Sequence, residues 1–178
     1  GTRIEKQPDT IDWTVDAANK EGYAHFMLKE IHEQPDVIHR AAARRVGAGE
    51  LPDLSTDGVE DDLLRTVDSV SIIGCGSAMH AGLVGRMLIE SLAGIPVTVD
   101  LASEYRYAPP VTVGHTLAVP VSQSGETSDT LQALRLARKN GLSSLGVINV
   151  VGSAIARESD AVQSQIGRAV QQECRDRY

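Results

Sequence analysis

The sequence predicts an α/β protein, a three-layer α/β/α sandwich built on a parallel, flavodoxin-like sheet. Three observations carry this prediction. From residue 69 onward, short β-branched runs alternate with amphipathic stretches of helical length, the signature of βαβ units. Aromatic residues make up only 3% of the chain, so the core must rest on Val, Ile, Leu and Ala, a composition suited to strands covered on both faces. A length of 178 residues, with 42% hydrophobic and 23% charged residues, is enough for one well-buried domain plus some additional chain.

In chain order, residues 1–22 are polar and read as a linker arm. From Tyr23 to about Arg45, Phe26, Met27, Ile31, Val37 and Ile38 recur near helical spacing. Pro35 interrupts them and predicts two helices or one kinked helix. Residues 46–60, rich in Gly, Asp, Pro and Ser, read as a loop that closes an N-terminal segment over 23–60. The sheet domain is expected over 61–165. Its first strand is Ser69–Cys75, followed by a helix over Met79–Leu92 that Gly94 and Pro96 stop. Val97–Leu101 and Thr116–Val121 are the second and third strands. Thr127–Asn140 is a helix with Leu131, Leu134 and Ala137 on one face, ended by Gly141. Leu145–Val150 reads as the fourth strand, Ser153–Glu158 as a short helix and Ala161–Ser164 as a fifth strand. An atypical tail occupies 166–178.

A net charge of −7 with scattered basic residues argues against nucleic acid and against an anionic membrane surface as partners. No apolar run reaches the roughly 18 residues of a membrane span, and no signal-peptide pattern opens the chain. A cytoplasmic protein with Cys75 and Cys174 both reduced is the expectation. His25, His32 and His39 lie seven apart with no ligand partners at metal spacing, so they read as surface or interface residues and no metal is expected. The cluster Glu104–Tyr107 reads as an interface or domain-packing patch.

In a parallel sheet the ligand crevice lies off the carboxyl ends of the strands, near the point where strand order reverses. Three such ends carry small polar residues: Gly74-Cys75-Gly76-Ser77, Ser122-Gln123-Ser124-Gly125-Glu126-Thr127 and Val151-Gly152-Ser153. Each leads into a helix, whose first amides lack partners and whose dipole favours an anion. Together they describe a phosphate cradle of neutral donors. A Ser or Thr before a helix is often only an N-cap, but capping needs one residue per helix, and the middle loop has five hydroxyls between Ser122 and Thr130. A dinucleotide site is the competing reading of the first loop, with Asp100 at the end of the next strand. It fails at Met79, which stands where the third glycine of that fingerprint belongs. Cys75 reads as packed, and Glu126 as a first-turn carboxylate stabilising a helix dipole rather than a base.

The segments HFMLKEIHEQP, ESLAGIPVTVDLASEYRY, SQSGETSDT and VGSAIARESD, in that order, resemble the glutamine–fructose-6-phosphate aminotransferase family. The likeness runs from about Ile11 to Ala161 and is to the first of two SIS (sugar isomerase) subdomains. The resemblance implies a flavodoxin-like SIS fold, fructose 6-phosphate or glucosamine 6-phosphate as ligand, no cofactor, and a homodimer. By motif it implies phosphate and sugar contacts from Ser77, Ser122, Gln123, Ser124, Thr127 and Ser153, and from Val151 through its backbone. Ala78 replaces a family hydroxyl, which puts one ligand hydrogen bond in question. The Glu base, ring-opening His and Lys that the family draws from its second subdomain and C-terminal tail match no residue here. The resemblance therefore implies binding rather than catalysis by this chain alone, and a non-catalytic phosphosugar sensor is the alternative. The tail GRAVQQEC stands where the family continues Gly-Val-x-Ser-Thr-Lys. A frameshift is the expectation there, checked by whether the coding DNA of 167–174 yields that peptide in the shifted frame.

Overall fold

The β-branched runs of the second half need cover on both faces, and the helices between them provide it. The computed structural model describes residues 20–43, 45–46, 52 and 54–164. Its five strands are β1 (Ser69–Gly74), β2 (Val97–Leu101), β3 (Thr116–Ser122), β4 (Ser143–Ile148) and β5 (Ala161–Ser164). They form one sheet in the order β2-β1-β3-β4-β5, with every neighbouring pair parallel. The order reverses between β1 and β3, as in a flavodoxin-like sheet, and the predicted fold class is what is found.

Strand alternation sorts the side chains into two layers. On one face Val70, Ile72 and Val97 pack with Ile89 of α3 (Ser77–Ala93) and with Ile95. On the other, Ile73 and Ala118 meet Tyr105 of α4 (Ala102–Tyr105) and Ala133 and Ala137 of α5 (Ser128–Lys139). Leu134 of α5, Ile148 and Ile155 of α6 (Ala154–Glu158) extend that layer. Val59, Leu117, Leu145 and Ala161 close a further cluster with Leu63 of α2 (Asp61–Arg65). Gly82 lets α3 lie close on the sheet, since a Cβ there would stand 2.7 Å from Ile72 Cγ2. Close helix–sheet packing, the task of the third glycine in a dinucleotide fingerprint, thus falls to a residue three positions beyond Met79.

The structure refines several expectations. α1 (Phe26–Ala43) is one helix that runs through Pro35. Its exposed side chains include Met27, Ile31 and Ile38 as well as His32 and His39, and His25 just before it is exposed too. Its end is held by an ion pair between Arg45 and Asp57 at 2.6 Å, with both side chains nearly buried. The 3-10 turn Ser55–Asp57 and the short helices α2 and α4 lie where no helix was expected. Of the cluster read as an interface or domain-packing patch, Tyr105 is a core residue at 1% exposure, whereas Tyr107 is exposed. β4 lies two residues earlier than predicted, because the polar residue at its start is satisfied inside the protein. Fully buried Ser144 donates its amide (2.9 Å) and its hydroxyl (2.7 Å) to Asp160 Oδ2. The arm expected over 1–22, apart from Lys20–Gly22, and the tail expected over 166–178 lie outside the described residues. Among the described residues no helix is long and apolar enough to cross a membrane.

Candidate functional site

Because β1, β3 and β4 are adjacent and parallel, their carboxyl ends share one edge of the sheet. All seven residues singled out from the sequence lie at the last strand residue, in the loops that follow or at the helix starts beyond them. The middle loop is the most built. Ser122, the last residue of β3, is 3% exposed. Its Oγ accepts a hydrogen bond from the Gly125 amide at 3.0 Å and lies 3.2 Å from Thr127 Oγ1. Exposed Ser124 accepts from the Glu126 amide at 3.2 Å. These bonds fold the loop back on itself and bring Thr127 to the start of α5.

Thr127 is the N-cap of α5, yet its side chain makes no capping bond. The Leu131 amide donates to the Thr127 carbonyl at 2.9 Å. The amides of Ser128, Asp129 and Thr130 ahead of it have no acceptor among the described residues. Three uncapped amides at the positive end of a 12-residue helix favour an anion. Beside them, Gln123 Nε2 is buried and has no hydrogen-bond partner among the described residues.

The third loop is fastened to the second. The Ala154 amide donates to Glu126 Oε1 at 2.8 Å, and the Ile155 amide donates to the Gly125 carbonyl at 2.9 Å. Glu126 therefore does not serve the dipole of α5, as the sequence suggested. It precedes the N-cap of that helix, and its carboxylate is engaged at the start of α6. Ser153 is the N-cap of α6, 3% exposed, and its Oγ has no partner among the described residues. Val151 is 75% exposed, and Arg157 donates to the Gly152 carbonyl, bracing the loop from its far side. Asn149, one residue past β4, has a buried Nδ2 that is likewise partnerless among the described residues. Sequence reading placed it inside a strand and gave it no role; its signal was a polar carboxamide at a strand end of this edge.

In the first loop, Ser77 begins α3 and is exposed. Cys75 packs, partly buried, against the cluster of Ile73, Tyr105 and Ala133, with Thr130 Oγ1 at 3.9 Å from its sulfur, a packed thiol as expected. No Lys, Arg or His lies in 74–77, 122–127 or 149–153, so the donors offered to an anion are neutral hydroxyls, carboxamides and amides. A separate cavity of about 180 Å³ opens at the opposite edge, between Thr66, His115, Asn140 and Ser143.

Asp100, near the end of β2, stands apart from these loops. Its Oδ2 is buried without a partner among the described residues, and burial pushes its carboxyl above the usual range while a bond with Thr98 pulls it down. A raised pKa means that the folded protein holds the proton more tightly than the unfolded chain. The stability this adds is complete below the ordinary value of 3.8 and is lost as pH rises through the folded value. Asp100→Asn is thus expected to gain in Tm on the native protein as pH rises from about 4 to 7. Thermal melts across that range check it, and a difference independent of pH contradicts it.

The family model of the SIS domain matches residues 63–167. Among curated relatives, a glutamine–fructose-6-phosphate aminotransferase (isomerizing) of Symbiobacterium thermophilum is 53% identical over 163 residues, which are 91% of this chain and 27% of that protein. The chain thus spans about a quarter of the length of such relatives. Among solved structures, the C-terminal domain of glucosamine-fructose-6-phosphate aminotransferase from Francisella tularensis superposes with a TM-score of 0.75 at 37% identity, over 85% of this chain and 42% of that one. A glucosamine-6-phosphate deaminase from Thermotoga maritima shares the fold, with a TM-score of 0.64 at 22% identity over 82% of this chain and 42% of that one.

Proposed function

This chain belongs to the SIS domain family, and from that premise we propose that the loops after β1, β3 and β4 hold a hexose phosphate, with fructose 6-phosphate as the expected ligand and glucosamine 6-phosphate as its amino counterpart. One observation carries the reading: partnerless buried donors, Gln123 Nε2 and Ser153 Oγ, lie on the same sheet edge as the three uncapped amides of α5. A buried donor left unpaired costs about 1–3 kcal/mol, a cost that a bound oxyanion offsets. In this reading Ser122 and Ser124 shape the middle loop. Thr127, Ser124 and the α5 amides meet the phosphate, while Ser77, Val151 and Ser153 meet the sugar side.

The same loops define what the site does not do by itself. Glu126, their one ionisable carboxylate, is engaged by the Ala154 amide, and no imidazole or amine lies among them. They bind and orient, and they hold no group poised to move a proton. We therefore assign the chain the substrate-positioning part of an aminotransferase of the kind it resembles, within glucosamine 6-phosphate synthesis. A phosphosugar sensor is the second reading, favoured by the same lack of acid–base groups. Amide chemical-shift mapping tests the site. Added fructose 6-phosphate is expected to shift Ser124, Thr127, Ser128 and Ser153 and to leave His115 and Asn140 unmoved. Shifts confined to the opposite edge of the sheet contradict it.

A further inference from the structure

Ser153 sits where a serine ordinarily spends its hydroxyl on its own helix, accepting from the second or third amide. Its backbone has the extended N-cap conformation (φ −66°, ψ 165°), yet its Oγ caps nothing and is buried. The first two amides of α6 are instead engaged from another loop. Glu126 Oε1 takes the Ala154 amide at 2.8 Å, and the Gly125 carbonyl takes the Ile155 amide at 2.9 Å. The first two amides of α6 are satisfied across the gap between the β3–α5 and β4–α6 loops, while the serine hydroxyl bonds to none of the helix's amides. That hydroxyl lies against the middle loop, 1.9 Å from where a Cβ on Gly125 would stand.

We propose that Glu126 is a positioning residue for the phosphosugar site: by tying the first amide of α6 to the middle loop, it holds the unbonded Ser153 hydroxyl against that loop for the ligand. The role rests on the phosphosugar reading above. It makes the α6 terminus a poor anion site, since a carboxylate already occupies it, and leaves anion binding to α5. It also explains a glutamate in a loop built to receive a negatively charged group. Its carboxylate accepts an amide hydrogen bond of the neighbouring loop and serves the loop, not the ligand.

A double-mutant cycle in fructose 6-phosphate affinity, measured on the whole chain, tests this role. Glu126→Ala is expected to weaken binding about tenfold. In a Ser153→Ala background the same change should cost no more than about twofold, because the hydroxyl it positions is gone. Glu126→Gln, which keeps an acceptor oxygen at the same reach, should bind within about twofold of the native chain. Hydrogen exchange without ligand gives an independent readout. The Ala154 amide should lose protection in Glu126→Ala and keep it in Glu126→Gln, while the amides of β1 and β3 stay unchanged. Equal losses in the two backgrounds, or an Ala154 amide indifferent to Glu126→Ala, would overturn the role of Glu126 alone. A native chain that is folded but binds no sugar phosphate would overturn the reading beneath it, and the role with it.

Discussion

Gly125→Ala is expected to be the most damaging single-methyl change in the middle loop, lowering stability by about 2–4 kcal/mol and abolishing sugar phosphate binding. Two costs add. Gly125 has φ +65°, a left-handed conformation in which an L side chain is strained by about 1–2 kcal/mol. Its added Cβ would also stand 1.9 Å from Ser153 Oγ, 2.5 Å from Ser153 Cβ and 2.9 Å from Ile148 Cγ2. The hydroxyl could rotate away, but the serine Cβ is fixed to the N-cap of α6 and Ile148 is a core residue at 1% exposure. Relief therefore requires the two loops to move apart, which breaks the bond between the Gly125 carbonyl and Ile155 and displaces Ser153. Gly152→Ala is the control: φ is +72° there and nothing lies within 4 Å of the added Cβ, so only the conformational cost applies. Denaturant unfolding of both variants checks the comparison, and equal losses contradict the packing argument.

Ser122→Ala ranks second. The hydroxyl is buried and serves two partners, accepting from the Gly125 amide and lying within hydrogen-bond distance of Thr127 Oγ1. Alanine fits the space but leaves the Gly125 amide without an acceptor, at about 1–3 kcal/mol. At about 2–4 °C per kcal/mol for a chain of this size, Tm should fall by roughly 2–12 °C. Affinity should fall as well, because the turn that presents Ser124 and Thr127 is no longer closed. A variant melting within about a degree of the native chain, with unchanged affinity, contradicts the part given to Ser122.

These two residues also show how far sequence reading reached. The strands were legible because β-branched runs bounded by glycine and helix signals have few other uses, and β2 lies at Val97–Leu101 as predicted. β4 slipped because its first residues, Ser143 and Ser144, look like loop. What makes Ser144 a strand residue is Asp160, sixteen residues further on, which no local pattern announces. The part of Tyr105 was left open between interface and domain packing for a related reason: inside a polar cluster, only the tertiary fold shows that α4 turns it inward.

For the site, the surplus of hydroxyls and the position of three loops at strand ends were enough to point to one edge, because parallel topology leaves little alternative, while the seven residues on it were those the family resemblance implied. What stayed hidden depended on pairs of loops. Glu126 reads locally as a partner of the next helix, while the amide it caps belongs to a helix 28 positions away. Asn149 is conspicuous only once its amide is seen to be buried and unpartnered among the described residues.

Calorimetric titration of the chain with fructose 6-phosphate, fructose and inorganic phosphate tests the central claim most directly. Saturable binding of fructose 6-phosphate, weaker binding of phosphate and none of fructose is the expected result, since the uncapped amides of α5 and the neutral donors beside them are arranged for an oxyanion carried by a sugar. A folded chain that releases no heat with fructose 6-phosphate, or that binds fructose equally well, contradicts it.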